Sequence, residues 1–302
     1  MVEWMKALTL RVTFEAQEEG KLPEYLGSTI RGILGHCLRS FVCDAPEEKC
    51  FRCGKRGECL YVRCFSNTGG EAGAINPYVL YVHTQGKTCW RPGDTCTFDL
   101  TLFGVATSWA NIYLDALFEM EHCGWGAGRM KFRLLRVIEP HAERVIYASG
   151  KIWLRNAIPY NLECKEREAG TALVVFDTPV RIVSGKELCE ELPCDVLIKF
   201  LYGRISLLSR VYGQGELPWK EDMLCEAATG ISVRAQEWKQ VDFTRYSMTQ
   251  TGNKVELPSK LGWVLYEGDL TKLVSLLEAG RYVHVGKGTT IGFGHYKVFF
   301  DK

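Results

Sequence analysis

GWGAGRMKFRLLRV at residues 124–137 and GKGTTIGFGHYKV at residues 286–298 are two glycine-rich segments, each of which runs into a strand-like stretch with basic residues. Each segment also follows a stretch in which apolar residues recur at helical spacing. A helix, a glycine cluster and a basic strand therefore close both halves of the chain in the same order. Repetition of this order predicts an internal duplication.

The same alternation of strands and helices extends outward from both segments. The first half predicts a strand over 4–14, a helix that starts at Ser28 or Thr29 and carries an apolar stripe from Ile30 to Phe41, a strand over 97–103, a helix from Ser108 to Met120, and a strand over 131–138. The second half predicts strands over 172–183, 261–266 and 292–300 and helices over 193–212 and 270–279. This pattern indicates helices packed on one face of a sheet.

The predicted fold class is α+β, with two ferredoxin-like domains in tandem. We place the N-terminal domain at residues 1–145, with a cysteine-rich insert at residues 43–64. The C-terminal domain, with its glycine-rich loop, is placed at residues 170–302, and the boundary falls within residues 140–170.

Charge and hydropathy limit the classes of partner. The chain has 302 residues, with 37 lysines and arginines against 36 acidic residues, so no overall field attracts a polyanion and a nucleic-acid site must be a local patch. The basic cluster from Arg129 to Arg136 fits such a patch and fits a solvated strand face equally well. The longest uncharged central stretch, residues 100–114, is too short for a membrane span, and charges interrupt the amino terminus. We therefore expect a cytoplasmic protein without a membrane partner.

The glycine-rich loop at residues 286–294 does not follow either of the common nucleotide-binding patterns. The spacing from Gly280 is one residue too long for a Walker loop, and the glycines precede a strand instead of opening a helix. The loop favours either backbone contact with a phosphate, with charge from Lys287, or a tight connection between two elements.

His36 lies about 140° from the centre of the apolar stripe of the first helix, at roughly 100° per residue. It therefore faces outward, next to Gly32, Gly35 and Arg39. Two positions without side chains leave room for a chain to lie against the helix. An outward imidazole is either a proton carrier near neutral pH or an ordinary solvated histidine.

Five of the 13 cysteines fall between residues 43 and 64, with basic residues among them. This density predicts a structural zinc site with four thiolate ligands. The candidate ligands are Cys43, Cys50, Cys53 and Cys59, with Cys64 as the fifth candidate, and the spacing does not decide which four of the five bind. An iron–sulfur centre or a redox disulfide stays open from the spacing.

The sequence resembles a family of CRISPR-associated endoribonucleases over its whole length. The resemblance rests on IRGILGHCLRSFVC at 30–43, TLFGVA at 101–106, GWGAGRMKF, FDTPVRI at 176–182 and the terminal GKGTTIGFGHYKV. These enzymes process precursor CRISPR RNA and belong to the repeat-associated mysterious protein (RAMP) superfamily. The resemblance implies two ferredoxin-like domains, RNA bound between or across them, and a precursor CRISPR RNA partner. It also implies metal-independent attack of a 2′-hydroxyl that leaves a 2′,3′-cyclic phosphate, with no cofactor for catalysis.

The resemblance also implies roles for particular residues. His36 matches the acid or base on the first helix, and Tyr25 and Lys21 are the nearest candidates for a second catalytic side chain. The candidate RNA-binding residues are Arg39, Arg245, Tyr246, His284, Gly286, Lys287, Gly288, Gly292 and Gly294.

Two other functions stay open from the sequence. One is a non-catalytic RNA-binding subunit that associates with other subunits of a CRISPR effector complex. The other is a zinc-stabilised interaction module whose glycine loops are only turns.

Overall fold

A computed structural model describes residues 2–66, 75–154, 156–185, 187–213, 215–246 and 254–302. The chain divides into two compact units. We call Lys6–Tyr160 the N-terminal unit, and Met1–Met5 together with Asn161–Lys302 the C-terminal unit. No helix in these ranges is long and apolar enough to cross a membrane.

The N-terminal part of the chain combines a sheet with two helices. Its elements are β1 Val2–Ala16, β2 Gly20–Lys21, α1 Gly27–Val42, β3 Tyr78–Val82, β4 Cys89–Trp90, β5 Thr95–Phe103, α2 Ala110–Glu119, β6 Phe132–Glu139, β7 Arg144–Ala148, β8 Lys151–Ile152 and β9 Tyr160–Cys164. The sheet order is β3-β5-β1-β6-β7-β8, and β9 also pairs with β1. The β3-β5-β1-β6 core is the strand order of a ferredoxin-like βαββαβ unit.

The C-terminal unit repeats this arrangement. Its elements are β10 Thr171–Phe176, β11 Val183–Ser184, β12 Glu187–Leu188, α3 Cys194–Tyr212, α4 Glu221–Thr229, β13 Ser232–Tyr246, β14 Lys254–Glu267, α5 Val274–Val283 and β15 Tyr296–Asp301. The main sheet has the order β13-β14-β10-β15, so β10, α3, β13, β14, α5 and β15 form a second βαββαβ unit. The predicted fold class, with tandem ferredoxin-like domains, is therefore confirmed.

The alternation along β1 determines which face of the N-terminal sheet is buried. Leu8, Leu10, Val12 and Phe14 are buried, and the residues between them are partly exposed. Leu10 pairs with Leu100, and Val12 pairs with Phe98, on antiparallel β5. Apolar side chains from neighbouring strands therefore form one continuous surface under the helices.

Several predicted helix boundaries are wrong at the residue level. α1 begins at Gly27, so Ser28 and Thr29 lie inside its first turn and do not cap it. Phe41, placed on the buried stripe, is 51% exposed. Ser108 lies in a 3-10 turn, and its hydroxyl donates to the Val105 carbonyl instead of capping α2.

The C-terminal strands also differ from their predicted limits. The predicted strand over 172–183 ends at Phe176, and the Pro179 carbonyl then accepts from Gly294 in the glycine-rich loop. β15 begins at Tyr296, because Gly292 and Gly294 adopt positive φ angles that end extended structure. α5 starts at Val274, four residues after its predicted start. β14 begins at Lys254, and β13 is not predicted at all.

Candidate active site

His36 projects from the exposed face of α1. The buried residues of this helix include Ile30, Leu34 and Leu38, and they anchor its opposite face in the core. One turn before His36, a Cβ built on Gly32 would have no heavy atom within 4 Å. The imidazole therefore lies beside an unobstructed stretch of helix surface, which agrees with its predicted orientation.

Gly35 has a different role from the one predicted for it. It is buried, and an added Cβ would overlap the ring of Phe65. Phe65 belongs to a π-helical turn, Val62–Ser66, at the end of the cysteine-rich insert. Gly35 therefore allows the insert to pack against α1, and only Gly32 leaves room for another chain.

Arg39 holds the start of the insert. One nitrogen of its guanidinium donates to the carbonyl of Pro46 at 2.8 Å and to that of Glu48 at 2.7 Å. The structure thus shows a local role for a side chain predicted to contact RNA. An RNA contact at Arg39 stays a prediction.

Tyr25 and Lys21 precede α1 in the chain. Tyr25 is half-buried in the connection before the helix, and Lys21 is exposed on β2. His36 lies nine residues after the helix start at Gly27, which is about 13 Å along the axis at 1.5 Å per residue. Tyr25 and His36 therefore do not form an adjacent pair on one helix face, and a shared catalytic role stays a prediction.

In the described residues, the cysteine-rich insert does not bring its thiols together in the arrangement that a zinc ion needs. Within those ranges, no three side chains of histidine, cysteine, aspartate or glutamate converge as a metal site. Cys43, Cys50, Cys53 and Cys59 are all reduced and partly exposed. Zinc needs about four ligands in a closed tetrahedron. A zinc site therefore stays a prediction from the sequence, and no step proposed below uses one.

Four glycines shape the loop between α5 and β15. Gly286, Gly288, Gly292 and Gly294 have φ angles of 81°, 84°, 93° and 75°, a region that residues with a Cβ rarely occupy. An added Cβ on Gly286 would lie 2.5 Å from the Arg181 carbonyl oxygen. The glycines are therefore required by the backbone path and by close packing.

Several backbone N–H groups of this loop already have acceptors inside the protein. Gly292 donates to the Thr289 carbonyl, Gly294 to the Pro179 carbonyl, and Lys287 to the Arg181 carbonyl. These groups do not provide the free phosphate-binding donors that the glycine pattern suggested. The Lys287 side chain is exposed, and an RNA contact by its charge stays a prediction.

The loop packs against the segment that follows β10. Pro179 and Arg181 both accept backbone hydrogen bonds from it, and the Thr178 hydroxyl accepts from the His295 N–H at 2.9 Å. FDTPVRI and GKGTTIGFGHYKV are two of the segments on which the family resemblance rests. The structure brings them together, although more than 100 residues separate them in the chain.

His284 is not placed to contact RNA, and this candidate is corrected. It is 2% exposed, and its Nδ1–H donates to the Phe293 carbonyl at 3.1 Å. Burial lowers the pKa of His284 well below that of a free imidazole, and the nearby His295 and Arg204 lower it further. His284 is therefore a neutral part of the loop's interior.

Sequence reasoning missed the pair formed by Asp177 and His295. The His295 Nδ1 lies 2.5 Å from Asp177 Oδ1, and the ring of His295 meets that of His284 edge-on at 5.1 Å between centroids. Lys297 Nζ lies 3.6 Å from the other oxygen of Asp177. Both residues lie in the segments that carried the resemblance, but their pairing depends on the packing of the loop.

Arg245 and Tyr246 end β13. Their backbone pairs with Val255 and Lys254 of β14. The placement of their side chains lies outside the described structure, and their RNA contacts stay predictions.

A glycine pair on α1 provides a test of this geometry. Gly35→Ala is expected to destabilise the protein by about 2 kcal/mol, because Phe65 must move. Gly32→Ala should stabilise it by about 0.5–1 kcal/mol, because an exposed helix interior favours alanine. Urea unfolding of both variants measures this difference. Equal midpoints for the two variants would show that Phe65 does not pack on Gly35.

A second test concerns the buried His284. The unfolded chain takes up a proton near pH 6.5 and the folded chain does not, so the free energy of unfolding should fall as pH drops below 6.5. One such proton contributes at most about 1.4 kcal/mol per pH unit. His284→Asn should remove this contribution, and the exposed control His122→Asn should leave it unchanged. Urea titrations between pH 7 and 5 measure the slopes, and identical slopes in all three proteins would contradict the assignment.

Two protein-family models match this sequence. Residues 5–159, slightly more than half of it, match AF_1859_N, which is described as an N-terminal domain. Residues 174–296 match the CRISPR-associated endoribonuclease Cas6, and this range includes FDTPVRI and all four glycines of the loop. The chain belongs to the AF_1859_N family, and its C-terminal region is a Cas6 domain. It thus belongs with the endoribonucleases that process CRISPR RNA, as the resemblance implied.

Solved Cas6 structures share the fold. A Cas6 (TTHB231) product complex has a TM-score of 0.62 at 16% identity, and the match covers 97% of this chain and 100% of that one. Cas6 (TTHB231) of Thermus thermophilus has a TM-score of 0.55 at 14% identity, with 98% and 99% covered. A chain of a partial Cas6-RT-Cas1–Cas2 complex has a TM-score of 0.62 at 12% identity, with 99% and 47% covered. No curated protein matches the sequence significantly.

Proposed function

We propose that this protein cleaves precursor CRISPR RNA within its repeats, with His36 as the proton carrier. The observation that carries the proposal is an exposed imidazole on α1, beside open surface at Gly32, in a chain whose residues 174–296 match the Cas6 endoribonuclease family. Lys287 on the glycine-rich loop supplies positive charge for the RNA backbone.

The proposed reaction needs no metal ion. The ribose 2′-oxygen attacks the adjacent phosphorus, the bond from phosphorus to the 5′-oxygen breaks, and a 2′,3′-cyclic phosphate and a 5′-hydroxyl are left. The 2′-hydroxyl loses a proton and the leaving 5′-oxygen gains one, so a histidine is suited to one of these transfers. Tyr25 is the candidate for the other. Basic side chains stabilise the extra charge on the pentacoordinate phosphate.

The test uses the purified chain and end-labelled repeat RNA in EDTA. We expect cleavage at one position, with product ends that carry a cyclic phosphate and a 5′-hydroxyl. A repeat RNA with a 2′-deoxyribose at the cleaved nucleotide should bind with similar affinity and stay intact. Cleavage that requires Mg²⁺ and leaves a 3′-hydroxyl would refute the mechanism.

The same assay distinguishes the second candidate function. An RNA-binding subunit of an effector complex would bind the repeat tightly and leave it uncut under all of these conditions. Association with effector subunits stays a prediction from the sequence.

A further inference from the structure

The longest strand of the C-terminal unit lies at the edge of its sheet. In the described residues, β13 hydrogen-bonds to β14 on one side, and no strand pairs with its other side. β13 runs for 15 residues, Ser232–Tyr246, and no residue from 232 to 244 is fully buried. A long unpaired edge is a template for another strand, and soluble proteins usually shorten or cover such edges.

The sequence of this edge is self-complementary about Trp238. Antiparallel pairing of two copies places Glu237 opposite Lys239. The same register matches residues of one chemical type, namely Ala235 with Val241, and Gln236 with Gln240. Each match occurs twice, because the pairing has two-fold symmetry.

Strand geometry restricts the alternatives. The N–H and C=O groups that point away from β14 recur at every second residue. Two identical antiparallel edges can therefore hydrogen-bond only in registers whose two-fold axis passes through a residue, which then lies opposite its own copy. Moving the centre by one residue places Glu237 opposite Glu237 or Lys239 opposite Lys239. Directly opposed like charges are destabilising.

The local structure leaves these charges available. Arg234 already pairs with Glu267, because its Nη1 lies 3.5 Å from Glu267 Oε1. Glu237, Lys239 and Asp242 are exposed, and within the described chain none of them is in an ion pair. Their partners on β14 are the uncharged Trp263, Leu261 and Pro258. A bulge between Val233 and Ala235 interrupts the strand at Arg234, so the regular pairing covers residues 235–241.

We propose that β13 is a dimerisation edge, which pairs antiparallel with β13 of a second copy of this chain about Trp238. The pairing joins two four-stranded sheets into one of eight strands. The charges favour a second copy of this chain as the partner of β13, because Glu237 of one copy faces Lys239 of the other.

The test is a charge swap on the edge. Sedimentation velocity from about 1 to 100 μM in reducing buffer should show a dimer for the unmodified chain. Glu237→Lys and Lys239→Glu each replace two opposite-charge pairs with two like-charge pairs, so each should raise the dissociation constant about tenfold or more. The double variant E237K/K239E restores complementarity at unchanged net charge and should recover the dimer.

Lys199→Glu changes the net charge by the same amount as Lys239→Glu and is its matched control, because Lys199 is exposed on α3 and does not belong to β13. It should leave the dissociation constant unchanged. A monomer at 100 μM, single variants that dimerise like the unmodified chain, or a double variant that stays monomeric would each overturn the proposal. Circular dichroism of the variants verifies that every protein compared is folded.

Discussion

Replacing His36 with alanine is expected to reduce the single-turnover rate of repeat RNA cleavage by about 10²–10⁴-fold, the usual contribution of a positioned acid or base. Affinity for the RNA should change little, because the imidazole takes part in proton transfer and is not needed for binding. The free energy of unfolding should also stay nearly constant, since His36 is exposed and outside the core. Quench-flow cleavage with enzyme in excess, together with filter binding, separates the two effects.

His122→Ala is the matched control for this experiment. His122 is also exposed and lies in the same unit, in the turn that follows α2. The His122→Ala variant should cleave repeat RNA at the rate of the unmodified protein. Full activity in His36→Ala would remove the imidazole from the mechanism, and equal loss in both variants would point to a general effect of histidine removal.

Gly294→Ala is expected to destabilise the protein by about 2–4 kcal/mol. Gly294 has a φ of 75°, and an added Cβ would overlap the carbonyl oxygen of Val285. The Val285 N–H also donates a backbone hydrogen bond of 3.0 Å to the Gly294 carbonyl, so the two residues cannot move apart without breaking it. Urea unfolding of the whole chain measures the loss, and weaker RNA binding should accompany it.

Gly203→Ala provides the contrast for Gly294. Gly203 lies inside α3, and an added Cβ there has no atom within 4 Å. This variant should be stabilised by about 0.5–1 kcal/mol, because alanine favours the helix. Equal changes at both glycines would contradict the packing described for the loop.

The orientation of His36 could be predicted from sequence because it depends on local geometry alone. A helix places residues at fixed angles, so the buried stripe from Ile30 to Leu38 determines the opposite side. The same reasoning failed for Phe41, which lies in the last turn of α1, beyond the part of the helix that the core covers. Amphipathic periodicity indicates which face of a helix is apolar. It does not indicate at which residue the sheet and helices that cover this face end.

His284 and Gly35 could not be interpreted correctly from the sequence. A histidine beside a glycine-rich loop has the chemistry of an RNA contact, but the ring of His284 is buried and donates to the Phe293 carbonyl, and Arg204 of a different helix helps to lower its pKa. Gly35 looks as open as Gly32 until Phe65 packs on it. In both cases the deciding neighbour belongs to another segment. β13 went unpredicted for a related reason, because an edge strand without a buried face has no clear alternation.

The sequence by itself determined the alternation of strands and helices apart from β3 and β13, its repetition in the two halves, the resemblance to CRISPR RNA endoribonucleases and the outward direction of His36. They depend on backbone periodicity and on residues near one another in the chain. Only the tertiary structure decided which glycines are open, which imidazole is buried, and that Asp177 meets His295. Those outcomes depend on contacts between distant segments, which exist only after the sheets and helices have packed.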